Sequence, residues 1–280
     1  MTYSLVAHDP ETGELGVAVQ SRSFGTGAVV PWALSGVGAV ATQSFTLRSY
    51  GPRALELMEA GQRPGEALAL LLEQDELREF RQVALVDAHG ETAGHTGTAC
   101  IADTGTVAGA GYSAQGNMLR SDGVVPALAR AFEEAQGPLA ERLLAGLEGA
   151  ESEGGDFRGR EAGAVLVVPG EATDSNRYDR VAEVRVDNHP DPLGELRRLL
   201  EHSQALRSLR RASLESLETA MDAAREAGVD DDVVRWTAAV SVSTSEPGLA
   251  EELLAPLTAV DDRWRAALVA AADALRRTSA

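Results

Sequence analysis

The chain of 280 residues contains no lysine; its 25 basic side chains are all arginine. That absence removes several chemistries together. A lysine Schiff base, a phosphate-binding G-x-x-x-x-G-K-[ST] loop and a Ser-Lys dyad are all excluded, so any general base must be a histidine, a carboxylate or a chain-terminal amine. Cysteine is nearly absent too. The single Cys100 excludes an intramolecular disulfide, points to a reducing compartment, and reads more simply as a small buried apolar residue than as a nucleophile. No apolar run approaches membrane-spanning length and no secretory apolar segment is present, so a cytoplasmic location is expected. The net charge of −18 is spread along the chain, which argues against nucleic-acid or anionic-membrane partners. There is no G-x-S-x-G elbow and no complete G-x-G-x-x-G loop, and the five histidines show no ligand spacing. No metal and no cofactor are therefore expected.

Aromatics make up 4% of the residues whereas glycine contributes 28, so the core must be built from Ala, Val and Leu with closely approaching backbones. Residues 2–8 alternate loosely, the chain turns at Asp9-Pro10-Glu11-Thr12-Gly13, and residues 14–20 return as a second strand, which predicts a β-hairpin. Strands are further expected at 37–43, 82–87, 91–96, 106–117, 162–168 and 181–186. Helices are expected at 50–60, 64–74, 124–134 and 138–147, with a polar loop over 149–160. Runs of strands alternating with paired helices predict an α+β fold of antiparallel sheets covered by helices, and a four-layer αββα sandwich fits the order. Beyond Asp187-Asn188-His189-Pro190-Asp191-Pro192 the pattern is helical throughout. The boundary is expected near residue 190, giving a domain over 1–190 and a C-terminal all-helical appendage over 191–280. Trp236 and Trp264 near helix starts give the appendage a tetratricopeptide-like look.

What chemistry remains is concentrated in the second residue and in polar strand ends. Thr2 opens the run Thr2-Tyr3-Ser4-Leu5-Val6-Ala7. Processing removes an initiator Met before a small residue, and Thr2 would then carry an α-amine beside its own hydroxyl, a minimal base–nucleophile pair. An α-amine titrates near 7.7–8.0, so roughly a seventh is neutral at pH 7. The bland reading makes Thr2 merely the first residue of a strand. Four hydrophobic runs stop at polar clusters: Gln20-Ser21-Arg22-Ser23, Thr42-Gln43-Ser44, Gln115-Gly116-Asn117, and the Gly154-to-Arg160 stretch that precedes a strand. If these ends converge they supply oxyanion donors and a carboxylate clamp; singly, each is an ordinary wet loop.

The stretches TYSLVAHDPETGELGVAVQSRSFGTGAVVPW, GVGAVATQS, YGPRALELM, GYSAQGNML and GGDFRGREAGAVLVV resemble the DUF1028 family over about residues 2–190. The resemblance implies an N-terminal-nucleophile (Ntn) hydrolase-like αββα sandwich, with the nucleophile falling on Thr2. It also implies a C-terminal extension that varies between members. Relatives tend to read Gln-Ser after the GGD-x-R-G-R stretch, where this chain has Glu161-Ala162.

The leading expectation is hydrolysis of a small amide. The Thr2 hydroxyl attacks and its α-amine serves as base and then acid. Asn117, or a backbone N–H near Gly116, stabilises the oxyanion; Ser21 or Gln43 orients the amine; Asp156, Arg158 and Arg160 bind substrate charge, with arginine favouring a carboxylate-bearing substrate. Arg160 could equally pair structurally with Glu161 or Asp156. The alternative is a catalytically silent sandwich that acts as a binding or assembly module, its helical tail recruiting a partner. Pairing through helices makes a homo-oligomer an expectation as well.

Overall fold

The structure, a computed structural model, describes residues 2–171 and 179–278. Thr2–His8 (β1) and Leu15–Ser21 (β2) form the expected hairpin, with Thr2 opposite Ser21. Its turn is held by the Asp9 carboxylate, which accepts from the Glu11 N–H and the Thr12 hydroxyl, both at 3.1 Å. There follow Pro31–Leu34 (β3), Gly38–Ser44 (β4), Tyr50–Glu59 (α1), Pro64–Glu73 (α2), Arg81–Asp87 (β5) and Thr92–Thr96 (β6). Gly105–Gly109 (β7), Tyr112–Asn117 (β8), Val124–Glu134 (α3), Leu139–Ser152 (α4), Ala162–Val168 (β9) and Ala182–Val186 (β10) complete this part of the chain.

The fold is mixed α+β, with two antiparallel sheets. One has six strands in the order β10-β9-β2-β1-β8-β7, the other four in the order β3-β4-β5-β6. Strand parity decides what each face meets. Val6, Val17, Val19 and Leu166 of the larger sheet pack against Ala33, Ala39, Ala41, Ala84 and Val86 of the smaller one. The opposite parity of the smaller sheet, Val40, Val83 and Leu85, packs on Tyr50, Ala54, Leu55 and Met58 of α1 and Leu68 and Leu71 of α2. The outer face of the larger sheet lies so close to α4 that a Cβ on Gly16 would sit 2.6 Å from Leu143. Strands covered on both faces lose the alternating pattern of a half-wet strand, which is why β9 reads as a nearly continuous apolar run and β1 alternates only loosely.

Two expectations need correction, and one strand lies outside the expected set. The segment 106–117 is two strands joined at Ala110-Gly111, because Gly111 takes φ +75° and lets the chain reverse where the alternation gives no break. The strand Pro31–Leu34 begins with proline, a residue that argues against a strand in sequence; it is an edge strand, where a missing N–H costs nothing. The fourth helix runs on to Ser152, through the start of the expected loop. Gly149, which looks like a stop, is instead a contact point, since a Cβ there would lie 2.4 Å from Ala131 Cβ and 2.9 Å from the Ala127 carbonyl of α3.

Contacts divide the chain after Arg197 into two compact units, a division that falls inside Pro192–Arg211 (α5). The second unit carries Leu217–Glu226 (α6), Asp231–Val242 (α7), Pro247–Thr258 (α8) and Arg263–Thr278 (α9). Its core gathers Leu209, Leu217, Met221, Val234, Ala238, Leu254 and Leu268. The Trp236 and Trp264 rings pack 5.5 Å apart at 52°. Among the described residues no helix is long and apolar enough to cross a membrane.

Two predictions follow from this packing. Gly149→Ala should destabilise the protein by about 1–3 kcal/mol in urea denaturation, even though alanine is the better helix former by about 1 kcal/mol. The second concerns Asp75, whose carboxylate accepts from Arg81 Nε at 2.8 Å and from the Tyr50 hydroxyl at 3.2 Å. The Arg81 hydrogen bond holds the Asp75 carboxyl below its usual range. A carboxyl depressed in the folded state contributes stability above its unfolded pKa and loses it as pH falls through the folded value. Asp75→Asn should therefore cost roughly 2 kcal/mol at pH 7, and the gap from the parent protein should close as pH drops below about 4 in chemical denaturation.

Candidate functional site

The parity that fills the space between the sheets with Ala and Val changes chemistry at one end. Along β4 the inward series is Ala39, Ala41, Gln43; along β5 it is Val86, Ala84, Gln82. Along β1 it is Val6, Ser4, Thr2, and β2 and β8 end on Ser21 and Asn117, both register partners of Thr2. Ser4, Ser21, Gln43, Gln82 and Asn117 have no exposed surface, Gln115 retains 1% and Thr2 7%. Thr2 begins a central strand of the larger sheet, so its side chain opens into a buried cluster of uncharged amides and hydroxyls.

Hydrogen bonds connect the cluster across the two sheets. Thr2 Oγ1 donates to Ser21 Oγ at 3.1 Å. Gln43 Nε2 donates to the Thr2 carbonyl at 3.2 Å and to Gln82 Oε1 at 2.7 Å, while its own Oε1 accepts from Ser4 Oγ at 2.7 Å. Gln82 Oε1 also accepts from Asn117 Nδ2 at 2.9 Å, and Gln82 Nε2 donates to the Gly116 carbonyl at 2.9 Å and to Thr96 Oγ1 at 3.0 Å. Gln115 Nε2 donates to Ser4 Oγ at 3.3 Å and to the Ala41 carbonyl at 3.2 Å.

The backbone around this end is strained. Among the described residues, the non-glycine positions with positive φ are Ser44 at 69°, Asp103 at 58° and Met118 at 54°. Ser44 follows Gln43, Met118 follows Asn117, and the segment 97–104 touches both: Cys100 Sγ donates to Ser44 Oγ at 3.1 Å and Met118 N–H donates to the Ala102 carbonyl at 2.9 Å. Such conformations cost of order 1 kcal/mol or more each and persist only where the surroundings impose them. Burial pushes the Cys100 thiol up, away from the thiolate a nucleophile requires.

The structure thus brings together Thr2, Ser21, Gln43 and Asn117, four of the seven residues singled out from sequence. Asp156 lies just beyond Ser21 and is 3% exposed. Its carboxylate accepts from the Arg22 N–H at 3.0 Å, the Arg158 N–H at 2.8 Å and the Arg158 guanidinium at 3.2 Å. Arg158 therefore belongs to the same turn as Asp156, its side chain about one third exposed at 32%. Arg160 is drawn elsewhere: it donates to the Pro190 carbonyl at 3.1 Å and pairs with Glu151 and Asp191. Glu161, the other partner considered, pairs with Arg22 at 2.7 Å. Tyr3 occupies the opposite face of β1, where its hydroxyl donates to Glu151 at 2.8 Å, and burial with that carboxylate pushes its pKa well up. Sequence reading missed Gln82 and the bonded role of Ser4, and named Gln115 at a polar strand end without giving it a role. The missed signal was parity, since each stands two residues along from a site residue or an inward alanine. Among the described residues no group of His, Cys, Asp and Glu is arranged to hold a metal ion.

Gln82 is the hub, and replacing it with an apolar residue leaves buried partners unsatisfied. Gln82→Met should cost about 3 kcal/mol, from orphaning groups worth about 1–3 kcal/mol each, whereas the same change at exposed Gln136 should be near neutral. Thermal and urea denaturation of the two variants checks the contrast.

A sequence profile of DUF1028, described as a family of unknown function, matches residues 2–196. The crystal structure of a Silicibacter pomeroyi protein assigned to DUF1028 superposes with a TM-score of 0.65 at 32% identity, covering 73% of this chain and 85% of that one. Anbu, the ancestral beta-subunit from Yersinia bercovieri, aligns over 75% of this chain and 97% of its own at 14% identity, with a TM-score of 0.35, a likeness that carries no weight for fold or chemistry. No curated protein matches. The profile match and the Silicibacter structure together make this chain a member of the DUF1028 family.

Proposed function

We propose that this chain is an N-terminal-nucleophile amidohydrolase, its two facing sheets and their flanking helices being a four-layer αββα sandwich of that type. The observation that carries the reading is the setting of Thr2: the start of a central strand, with its hydroxyl 3.1 Å from Ser21 Oγ inside a buried polar cluster. Cleavage of the Met1–Thr2 bond converts an unreactive amide nitrogen into a primary amine on the residue that bears the hydroxyl.

In this mechanism the Thr2 Oγ–C bond forms to the substrate carbonyl carbon as the hydroxyl proton passes to the α-amine. The oxyanion is met by a backbone N–H near Gly116 or by the second Nδ2 hydrogen of Asn117. Breakage of the C–N bond takes that proton back from the ammonium to the leaving amine and leaves an ester on Thr2. Water then adds to the ester with the same amine as base and restores the hydroxyl. Arg158, partly exposed beyond Ser21, is the group proposed to meet a substrate carboxylate. Arg160, engaged by Glu151 and Asp191, is left to the fold.

Intact-mass spectrometry should find Met1 removed. Against a panel of small acylated amino acids and amides, Thr2→Ala should lose turnover by at least about 10³-fold with a stability change within about 1 kcal/mol, while Thr2→Ser retains activity. Undiminished hydrolysis by Thr2→Ala rejects the mechanism. A retained Met1 leaves Thr2 without a base and favours the silent binding module instead.

A further inference from the structure

The amides of this cluster cannot be turned over at will, because backbone carbonyls fix their polarity. A carbonyl oxygen only accepts, so the Thr2 carbonyl requires Gln43 to present Nε2, and the Gly116 carbonyl requires Gln82 to present Nε2 on its far side. Gln82 must then offer Oε1 to Gln43, at 2.7 Å, and the same Oε1 faces Asn117. Asn117 answers with Nδ2, which commits its Oδ1 to the other direction. That Oδ1 is buried and has no hydrogen-bond partner among the described residues, on a side chain with no exposed surface. Asn117 is the register partner of Thr2. The Thr2 hydroxyl already donates to Ser21.

We propose that Asn117 Oδ1 is an acceptor built for the freed α-amine of Thr2, so that Asn117 is a positioning residue for the base. This rests on the reading of Thr2 as a liberated N-terminus. The amide dipole presents its negative end to the amine, which holds the amine's lone pair toward the hydroxyl and favours its charged form. Orientation and basicity of the amine then follow from a relay of three amides, Gln43, Gln82 and Asn117, anchored on two carbonyls that cannot rotate. The other titratable groups at this end are Asp156, Arg158 and Arg22 beyond Ser21, Arg81 and Cys100 beside Ser44, Asp103 on the 97–104 segment, and Tyr3 on the opposite strand face. All are unchanged by substitution at Asn117.

The lack of lysine makes the test clean, because the α-amine is the only primary amine in the protein. The pH dependence of its acetylation by acetic anhydride, read from the mass of the N-terminal peptide, gives its pKa. Asn117→Ala, which removes the acceptor, should lower that midpoint by about half a unit, roughly a threefold change in the protonation equilibrium. Asn117→Ser, too short to reach the same point, should lower it as well and covers a failure of the alanine variant to fold. Asn117→Asp should raise it by about one unit. A midpoint that rises or does not move in both Asn117→Ala and Asn117→Ser overturns the proposal, since a merely structural Asn117, or one presenting Nδ2, predicts one of those results. The two failures are distinguishable: an N-terminal peptide that still carries Met1 refutes the Thr2 reading and this proposal with it, whereas a mature Thr2 terminus with a midpoint that rises or does not move refutes only the proposal.

Discussion

Two stacked sheets faced with Ala and Val leave room between them for little else, and the polar groups that fill one end must satisfy one another because water is excluded. That requirement governs this part of the molecule. Gln43 and Gln82 reach across from the smaller sheet to Thr2, Gly116 and Asn117 of the larger one. The cluster is thus both adhesive and template: it joins the sheets at that end and sets the direction of each amide. A buried polar network is favourable only when almost all of its members are paired, so the single orphaned oxygen on Asn117 stands out against an otherwise closed set of bonds.

The supports of that network reach well into the fold. Arg81 opens β5 next to Gln82 and is tied by Asp75 at 2.8 Å and by the Phe45 carbonyl, so an ion pair outside the cluster fixes the strand end from which Gln82 projects. Asp156 does the same for β2, clasping the Arg22 N–H directly after Ser21. Tyr3 pins the start of β1 from its far face through Glu151. Charge is used around the site to hold backbone ends, and the interior is left neutral.

Much of this was legible from residue order, and the exceptions have physical causes. The β1–β2 hairpin and the α3 helix could be read directly because their periods and turn residues agree. The convergence of the strand ends at Ser21, Gln43 and Asn117 stood in the sequence only as a condition, because each polar strand end taken singly is an ordinary wet loop. Gln82 escaped notice because it opens the expected strand 82–87, whereas the polar clusters singled out stand where an apolar run stops. Arg160 and Arg158 sit two residues apart in one Gly-rich turn, yet one is drawn to Glu151 and Asp191 and the other to Asp156. Only the path of the turn decides that, and Gly159 at φ +101° between them is what redirects the chain. Gly149 misled for the opposite reason, since it is kept for proximity to α3 rather than for conformation.

A neutral interior also determines what kind of base the site can hold. Desolvation lowers the pKa of an amine, and a nearby carboxylate raises it far above neutrality. Here the one buried carboxylate beyond Ser21, Asp156, is already engaged by Arg158 and two backbone N–H groups. An amine at Thr2 would therefore meet burial, which disfavours its charged form, and uncharged dipoles, which favour it. An α-amine at its unperturbed pKa of about 7.7–8.0 can both accept and return a proton at physiological pH. A lysine or an unpaired carboxylate in the same place would upset that balance, and the cluster contains neither.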